Sequence, residues 1–116
     1  MPFTFRPSQA LRLLSDFSLA QVRDSDADLS ARQTAILLTI YLEPPPHTVR
    51  GLAAKLGVAK PVITRALDAM GKLDLVTRRR DEADRRSVVI QRTVKGALFV
   101  EKLGDMLIET AKDLPA

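Results

Sequence analysis

The sequence predicts a mainly α-helical protein with one small β-hairpin, an α+β arrangement in a single domain of 116 residues. Three observations predict it. Apolar residues recur at the i, i+3, i+4, i+7 spacing of a helix in three segments, and two further segments are densely apolar at helix length. The β-branched runs that suit strands are confined to two short stretches, 75–78 and 87–91, with a charged turn between them. Caps, prolines and a glycine stand where the helices should start or stop.

After an extended start over residues 3–7, Ser8 is placed to cap a first helix, 8–23, with Ala10, Leu13, Leu14 and Phe17 on one face. That helix should fade near Arg23, before the acidic loop Asp24-Ser25-Asp26-Ala27-Asp28. Ser30 and Gln33 then form a capping box, each side chain satisfying one backbone N–H. The box opens an apolar helix through Ala35, Ile36, Leu37, Ile40 and Tyr41. Pro44-Pro45-Pro46 ends it, because proline has no N–H to donate and disfavours helical backbone in the residue before it. His47 is expected in the following loop, structural or facing solvent.

Thr48 caps a short helix that turns Val49, Leu52, Ala53 and Leu56 inward, and Gly57 stands where a left-handed C-terminal cap is wanted. Pro61 occupies the first position of a further helix, 61–73, its favoured place. Ile63, Ala66, Leu67 and Met70 form the buried stripe of that helix, while Pro61, Thr64, Arg65, Asp68 and Lys72 face outward. The two strand-forming runs follow as a two-stranded hairpin over 76–91. Thr93 caps a last helix, 94–113, whose apolar positions spread over more than one face and leave surface for a partner helix.

Composition narrows the function. With 46% apolar and 28% charged residues, the chain suits a water-soluble globular fold burying roughly two-thirds of its unfolded surface. No cysteine is present, which excludes disulfides, thiol nucleophiles and Cys-ligated zinc. His47 is the only histidine, too few for a His-based metal site or a Ser-His-Asp triad. No phosphate-binding loop and no nucleophile–base pair appears, so an enzyme is rejected and no metal or cofactor is expected. Pro2, Arg6, Pro7 and Arg12 interrupt the N-terminal apolar stretch, and no run approaches membrane-spanning length. A cytoplasmic protein with no membrane partner is therefore expected.

The net charge of +4 is unevenly spread. Residues 48–92 carry eleven Lys/Arg against five acids, a net +6, whereas 1–47 and 93–116 each come to −1. A localised basic face is the electrostatic footprint of a nucleic-acid binder. Two short helices joined by a tight turn, the second with a cationic outer face, make a helix-turn-helix. A charged hairpin directly after it makes a winged helix.

This winged helix resembles the MarR family of bacterial transcriptional regulators. The resemblance is carried by Thr48-Val49-Arg50-Gly51-Leu52-Ala53-Ala54-Lys55-Leu56-Gly57-Val58 and by Pro61-Val62-Ile63-Thr64-Arg65-Ala66-Leu67-Asp68. It continues through the wing, Val76-Thr77-Arg78-Arg79-Arg80-Asp81-Glu82-Ala83-Asp84-Arg85-Arg86-Ser87, and closes on Arg92-Thr93-Val94-Lys95-Gly96. It implies a homodimer on double-stranded DNA, with helix 61–73 in the major groove, wing 76–91 in the adjacent minor groove, and repression the most frequent outcome. Flanking helices 8–23 and 94–113 would serve dimerisation around a DNA-binding lobe over 30–92, aided by the Phe3-Thr4-Phe5 arm.

Thr64 and Arg65 lie where side chains can meet base edges, and arginine pairs bidentately with guanine. Lys60, Lys72 and Arg78 suit phosphates, where contacts give affinity without sequence information, and Pro61 lies on the same DNA-facing stripe. Arg86 matches the family's minor-groove arginine, with Arg85 beside it. Asp81 and Asp84 would hold the wing arginines by charge-assisted hydrogen bonds. Asp68 is read as a partner of Arg65 or of Lys72 within its own helix, and Arg50 and Lys55 as solvated charges. Arg79 and Arg80 could equally guard an exposed strand edge.

Two positions depart from the family pattern. Ala59 gives the outward-facing helix no side-chain cap, and Arg92 stands before Thr93 where relatives usually carry leucine. The resemblance also implies a small lipophilic or phenolic effector, whose pocket would involve Phe17, Tyr41 and Leu98; the alternative is that these are plain core. An alternative for the whole chain is a winged-helix interaction module docking an acidic protein, which salt response and sequence preference would separate from a DNA binder.

Overall fold

The computed structural model describes residues 4–24 and 27–114. Phe3 of the expected arm and Ser25 and Asp26 of the expected acidic loop lie outside the described residues. The element order is α1 (Pro7–Asp24), α2 (Ala31–Leu42), β1 (His47–Thr48), α3 (Val49–Leu56), α4 (Lys60–Lys72), β2 (Val76–Arg80), β3 (Val88–Arg92) and α5 (Val94–Lys112). The chain divides into two compact units, Leu29–Val100 on one hand and Met1–Asp28 with Glu101–Ala116 on the other.

In the larger unit, local chemistry sets the element boundaries. Ser30 Oγ accepts the Gln33 N–H at 3.0 Å and Gln33 Oε1 accepts the Ser30 N–H at 2.8 Å, the reciprocal box that starts α2. Thr48 Oγ1 does the same for the Gly51 N–H at 3.0 Å, and Gly57 ends α3 in the left-handed region at φ 69°. Helix α4 begins at Lys60, so Pro61 is its second residue rather than its first; proline is tolerated there because the first-turn N–H groups have no helical acceptor. Its far end closes in a Schellman arrangement, with the Leu75 N–H on the Met70 carbonyl and the Asp74 N–H on the Gly71 carbonyl, both at 3.0 Å. Asp74 takes the left-handed position at φ 60°. Thr93 Oγ1 caps α5 by accepting the Gly96 N–H at 2.9 Å.

The expected two-stranded hairpin is a three-stranded antiparallel sheet, ordered β1-β3-β2. His47 pairs with Ile90 and Thr48 with Val89, so His47 is a buried strand residue rather than part of a loop. Its Nε2–H donates to the Glu43 carbonyl at 3.1 Å. In β2 and β3, Val76 faces Arg92, Arg78 faces Ile90 and Arg80 faces Val88. Paired residues share a sheet face and alternate along each strand. Val76, Ile90 and His47 are buried, so this face packs on the core at its centre, while Arg78, Arg80 and Arg92, which share it, remain exposed at its margins.

The core joins Ile36, Leu37 and Ile40 of α2 with Leu52 and Ala53 of α3, the Ile63, Ala66, Leu67 and Met70 stripe of α4, and Leu75, Val76 and Ile90 of the sheet. That stripe is the one the helical spacing predicts. Burying it leaves Thr64, Arg65, Asp68 and Lys72 outside.

In the smaller unit, α1 begins at Pro7, not behind a Ser8 cap. Proline suits the first helical position, and the Arg6 N–H is taken by Gln9 Oε1 at 3.0 Å, half of a capping box. None of the 18 residues of α1 is buried. Leu11, Leu14, Leu19 and Val22 are exposed on it, as are Leu107 and Ile108 on α5. Lys102 Nζ donates to the Asp24 carbonyl at 2.7 Å beside a groove lined by Asp16, Ala20, Met106 and Thr110 among others. No helix among the described residues is long and apolar enough to cross a membrane.

Candidate nucleic-acid interface

The outer face of α4 is built by subtraction: the apolar stripe fixes the helix against the core, and the residues between project outward. Lys60, Arg65 and Lys72 are exposed, with no side-chain hydrogen bond or ion pair to the described residues. Thr64 Oγ1 donates back to the Lys60 carbonyl at 3.3 Å. Ala59 provides no side-chain cap, and Pro61 has no N–H of its own, so the start of α4 is chemically bare.

Asp68 pairs with neither Arg65 nor Lys72. Its Oδ1 accepts from Arg78 Nη2 at 2.7 Å, joining α4 to β2. The helical spacing allowed either intrahelical partner, but strand alternation puts Arg78 on the inward face, where it meets Asp68. Arg78 of β2 therefore has an intramolecular partner, unlike Lys60, Arg65 and Lys72 of α4.

The wing turn is held mainly through backbone. The Asp81 N–H donates to the Ser87 carbonyl at 3.0 Å and the Ser87 N–H to the Asp84 carbonyl at 2.9 Å. Asp81 Oδ1 accepts the Ala83 N–H at 2.9 Å, and Asp84 Oδ1 accepts the Arg86 N–H at 3.1 Å. Both carboxylates thus shape the turn as Asx motifs. Asp84 also lies 3.5 Å from Arg86 Nε, while Asp81 makes no arginine ion pair. Arg80 Nη1 donates to the Arg85 carbonyl at 2.8 Å, bracing the tip. The Arg86 side chain is 95% exposed, and Arg85 is exposed beside it. Arg79 lies on the opposite strand face from Arg78 and Arg80.

Arg92 belongs to the basic stretch 48–92, but its partners lie far from it in sequence. Its Nε donates to the Ile40 carbonyl at 2.8 Å and its Nη2 to the Glu43 carbonyl at 2.9 Å. Its Cζ stands 5.8 Å from the Tyr41 ring centroid. Arg92 thus closes the C-terminal end of α2, where unpaired carbonyls favour a cation. The departure from leucine was a visible signal without a visible partner.

Of the residues expected around an effector, Tyr41 packs against the core and commits its hydroxyl to backbone. It donates to the Leu75 carbonyl at 2.6 Å and accepts the Thr93 N–H at 3.0 Å. Phe17 is half-buried on α1, and Leu98 is exposed on α5. Among the described residues no group of His, Asp and Glu side chains is arranged to hold a metal ion.

A model of the MarR family matches residues 29–88, just over half of the chain and the whole span from α2 into the wing. The chain belongs to the MarR family. MarR-like architecture extends beyond that span. The transcriptional repressor CouR, solved on a 23-mer DNA duplex, is 25% identical with a TM-score of 0.73; the match covers 91% of this chain and 72% of CouR. A transcriptional regulator from Thermotoga maritima is 27% identical with a TM-score of 0.74, over 90% of this chain and 71% of that protein. A MepR variant from S. aureus bound to an oligodeoxyribonucleotide shares the MarR-type fold at a TM-score of 0.77 and 23% identity, over 96% and 83% of the two chains.

Proposed function

We propose that this MarR-family chain is a sequence-specific, DNA-binding transcriptional regulator, a repressor, acting in the cytoplasm as a homodimer. The observation that carries this reading is one set of exposed cations on two adjoining elements: Lys60, Arg65 and Lys72 on α4, and Arg85 and Arg86 on the wing. A helix of this kind enters a major groove, and an arginine at a wing tip suits a narrow minor groove. Thr64 and Arg65 read base edges; Lys60, Lys72 and Arg85 lie along the phosphates, with Pro61 on the same DNA-facing stripe; Arg86 enters the minor groove. Asp81 and Asp84 present the wing arginines by fixing the turn. The repressor CouR is itself solved on DNA, which supports the same use of the fold here. Dimerisation through α1 and α5 is supported by the exposed Leu11, Leu14, Leu19 and Val22, a face with no buried residue behind it.

Fluorescence anisotropy against the DNA upstream of the protein's own gene, with a shuffled duplex as control, tests the reading. A preference of about a thousandfold or more is expected for the specific duplex. Arg86→Ala is expected to weaken binding by roughly 1–3 kcal/mol with the fold unchanged, and Arg65→Ala to relax preference at one position per half-site. Absence of binding to any duplex at low salt would overturn the reading in favour of an acidic protein partner.

A further inference from the structure

We propose that Asp68 and Arg78 form a strut that fixes the angle between α4 and the wing, making Arg78 a positioning residue for DNA recognition rather than a phosphate contact. The proposal rests on the DNA-binding reading above. Three observations carry it. Arg78 lies on the inward sheet face with Val76 and Ile90, and its side chain is 34% exposed where that of Arg86 is 95% exposed. Its bond to Asp68 is short, 2.7 Å, the length of a charge-assisted contact. The pair lines a groove of about 520 Å³ between α4 and β2, together with Gly71, Lys72, Val76 and Thr77, with Gly71 adding no side chain to fill it.

The position of Asp68 gives the bond its consequence. Asp68 follows Thr64 and Arg65 by one helical turn on the same outward face, so it would stand beside DNA phosphates as an unpaired carboxylate. Arg78 neutralises it and ties that part of α4 to the strand leading into the wing tip. A half-exposed ion pair adds little to the stability of a fold. What it can do is hold two groove-reading elements in one relative geometry, since a small misplacement of either weakens several contacts together.

The two roles open to Arg78 predict opposite signs. The probe is a duplex selected from a random library by the wild-type protein, with a shuffled duplex of equal composition. For the strut, Asp68→Asn is expected to lower the ratio of specific to shuffled affinity by about tenfold, without lowering shuffled affinity. Arg78→Gln should lower the ratio equally, leave the salt slope at the wild-type value, and add nothing further when combined with Asp68→Asn. Thermal unfolding should stay close to wild type in all three variants. Tighter binding of Asp68→Asn to both duplexes, an unchanged ratio in both single variants, or a salt slope reduced by about one per protomer in Arg78→Gln would overturn the strut. Wild-type protein that enriches no sequence would instead overturn the DNA-binding reading beneath it.

Discussion

At Gly96 an added methyl group would collide with the Tyr41 hydroxyl oxygen and with the Leu75 carbonyl, so the first turn of α5 approaches α2 and the wing root more closely than any side chain allows. Gly96→Ala is expected to destabilise by about 2–3 kcal/mol, since the obstructing atoms include backbone and cannot swing aside. Differential scanning calorimetry should find the midpoint lowered by roughly 10 °C or more. The need for glycine here was legible only as a motif position closing the wing; its cause lies in a tyrosine 55 residues earlier. Arg92 and Asp68 teach the same lesson. A charged residue in sequence reads as exposed surface, because its partner is set by strand register and helix crossing, neither of which leaves a local pattern.

Among the elements, each cap with its own chemistry was readable: the Ser30–Gln33 box, Thr48, Gly57 and Thr93 all act where their side chains or backbone freedom place them. The starts of α1 and α4 shift by one residue because proline fits either of the first two helical positions. Strand β1 leaves no local signal in the sequence, because two residues show no alternation and their pairing partners lie more than 40 residues on. Helix α4 carries a correctable flaw at its far end. Asp74 occupies the left-handed position of a Schellman motif, where an L side chain crowds the backbone and glycine does not. Asp74→Gly is expected to raise stability by roughly 0.5–1 kcal/mol, read as a higher urea midpoint at unchanged m-value.

Across the whole molecule, charge and apolar surface are divided between the two units. Residues 29–100 hold thirteen Lys/Arg against six acids, a net +7, whereas the remainder holds five against eight, a net −3. The basic lobe was legible from this count alone. The count overstates its working charge, because Arg78, Arg80 and Arg92, though exposed, are engaged by hydrogen bonds within the fold. Light scattering is expected to show a species of twice the 12.8 kDa protomer mass at micromolar concentration, and a monomer after Leu14→Glu and Val22→Glu on α1. If two protomers together cover roughly eight phosphates, the plot of log affinity against log salt should have a slope near −7. A slope near zero with retained binding would remove counterion release from the mechanism.

The hydroxyl of Tyr41 gathers segments 34 and 52 residues away in sequence, which has a kinetic consequence. Closing loops of that length is entropically expensive and is completed only after more local contacts exist. The node should therefore form on the native side of the folding barrier, acting as a brake on opening rather than a guide to assembly. Stopped-flow measurements on Tyr41→Phe are expected to show unfolding accelerated by about fivefold, with the folding rate changed by less than about twofold. The lifetime of the assembled lobe, more than the speed of its formation, is what this single oxygen controls.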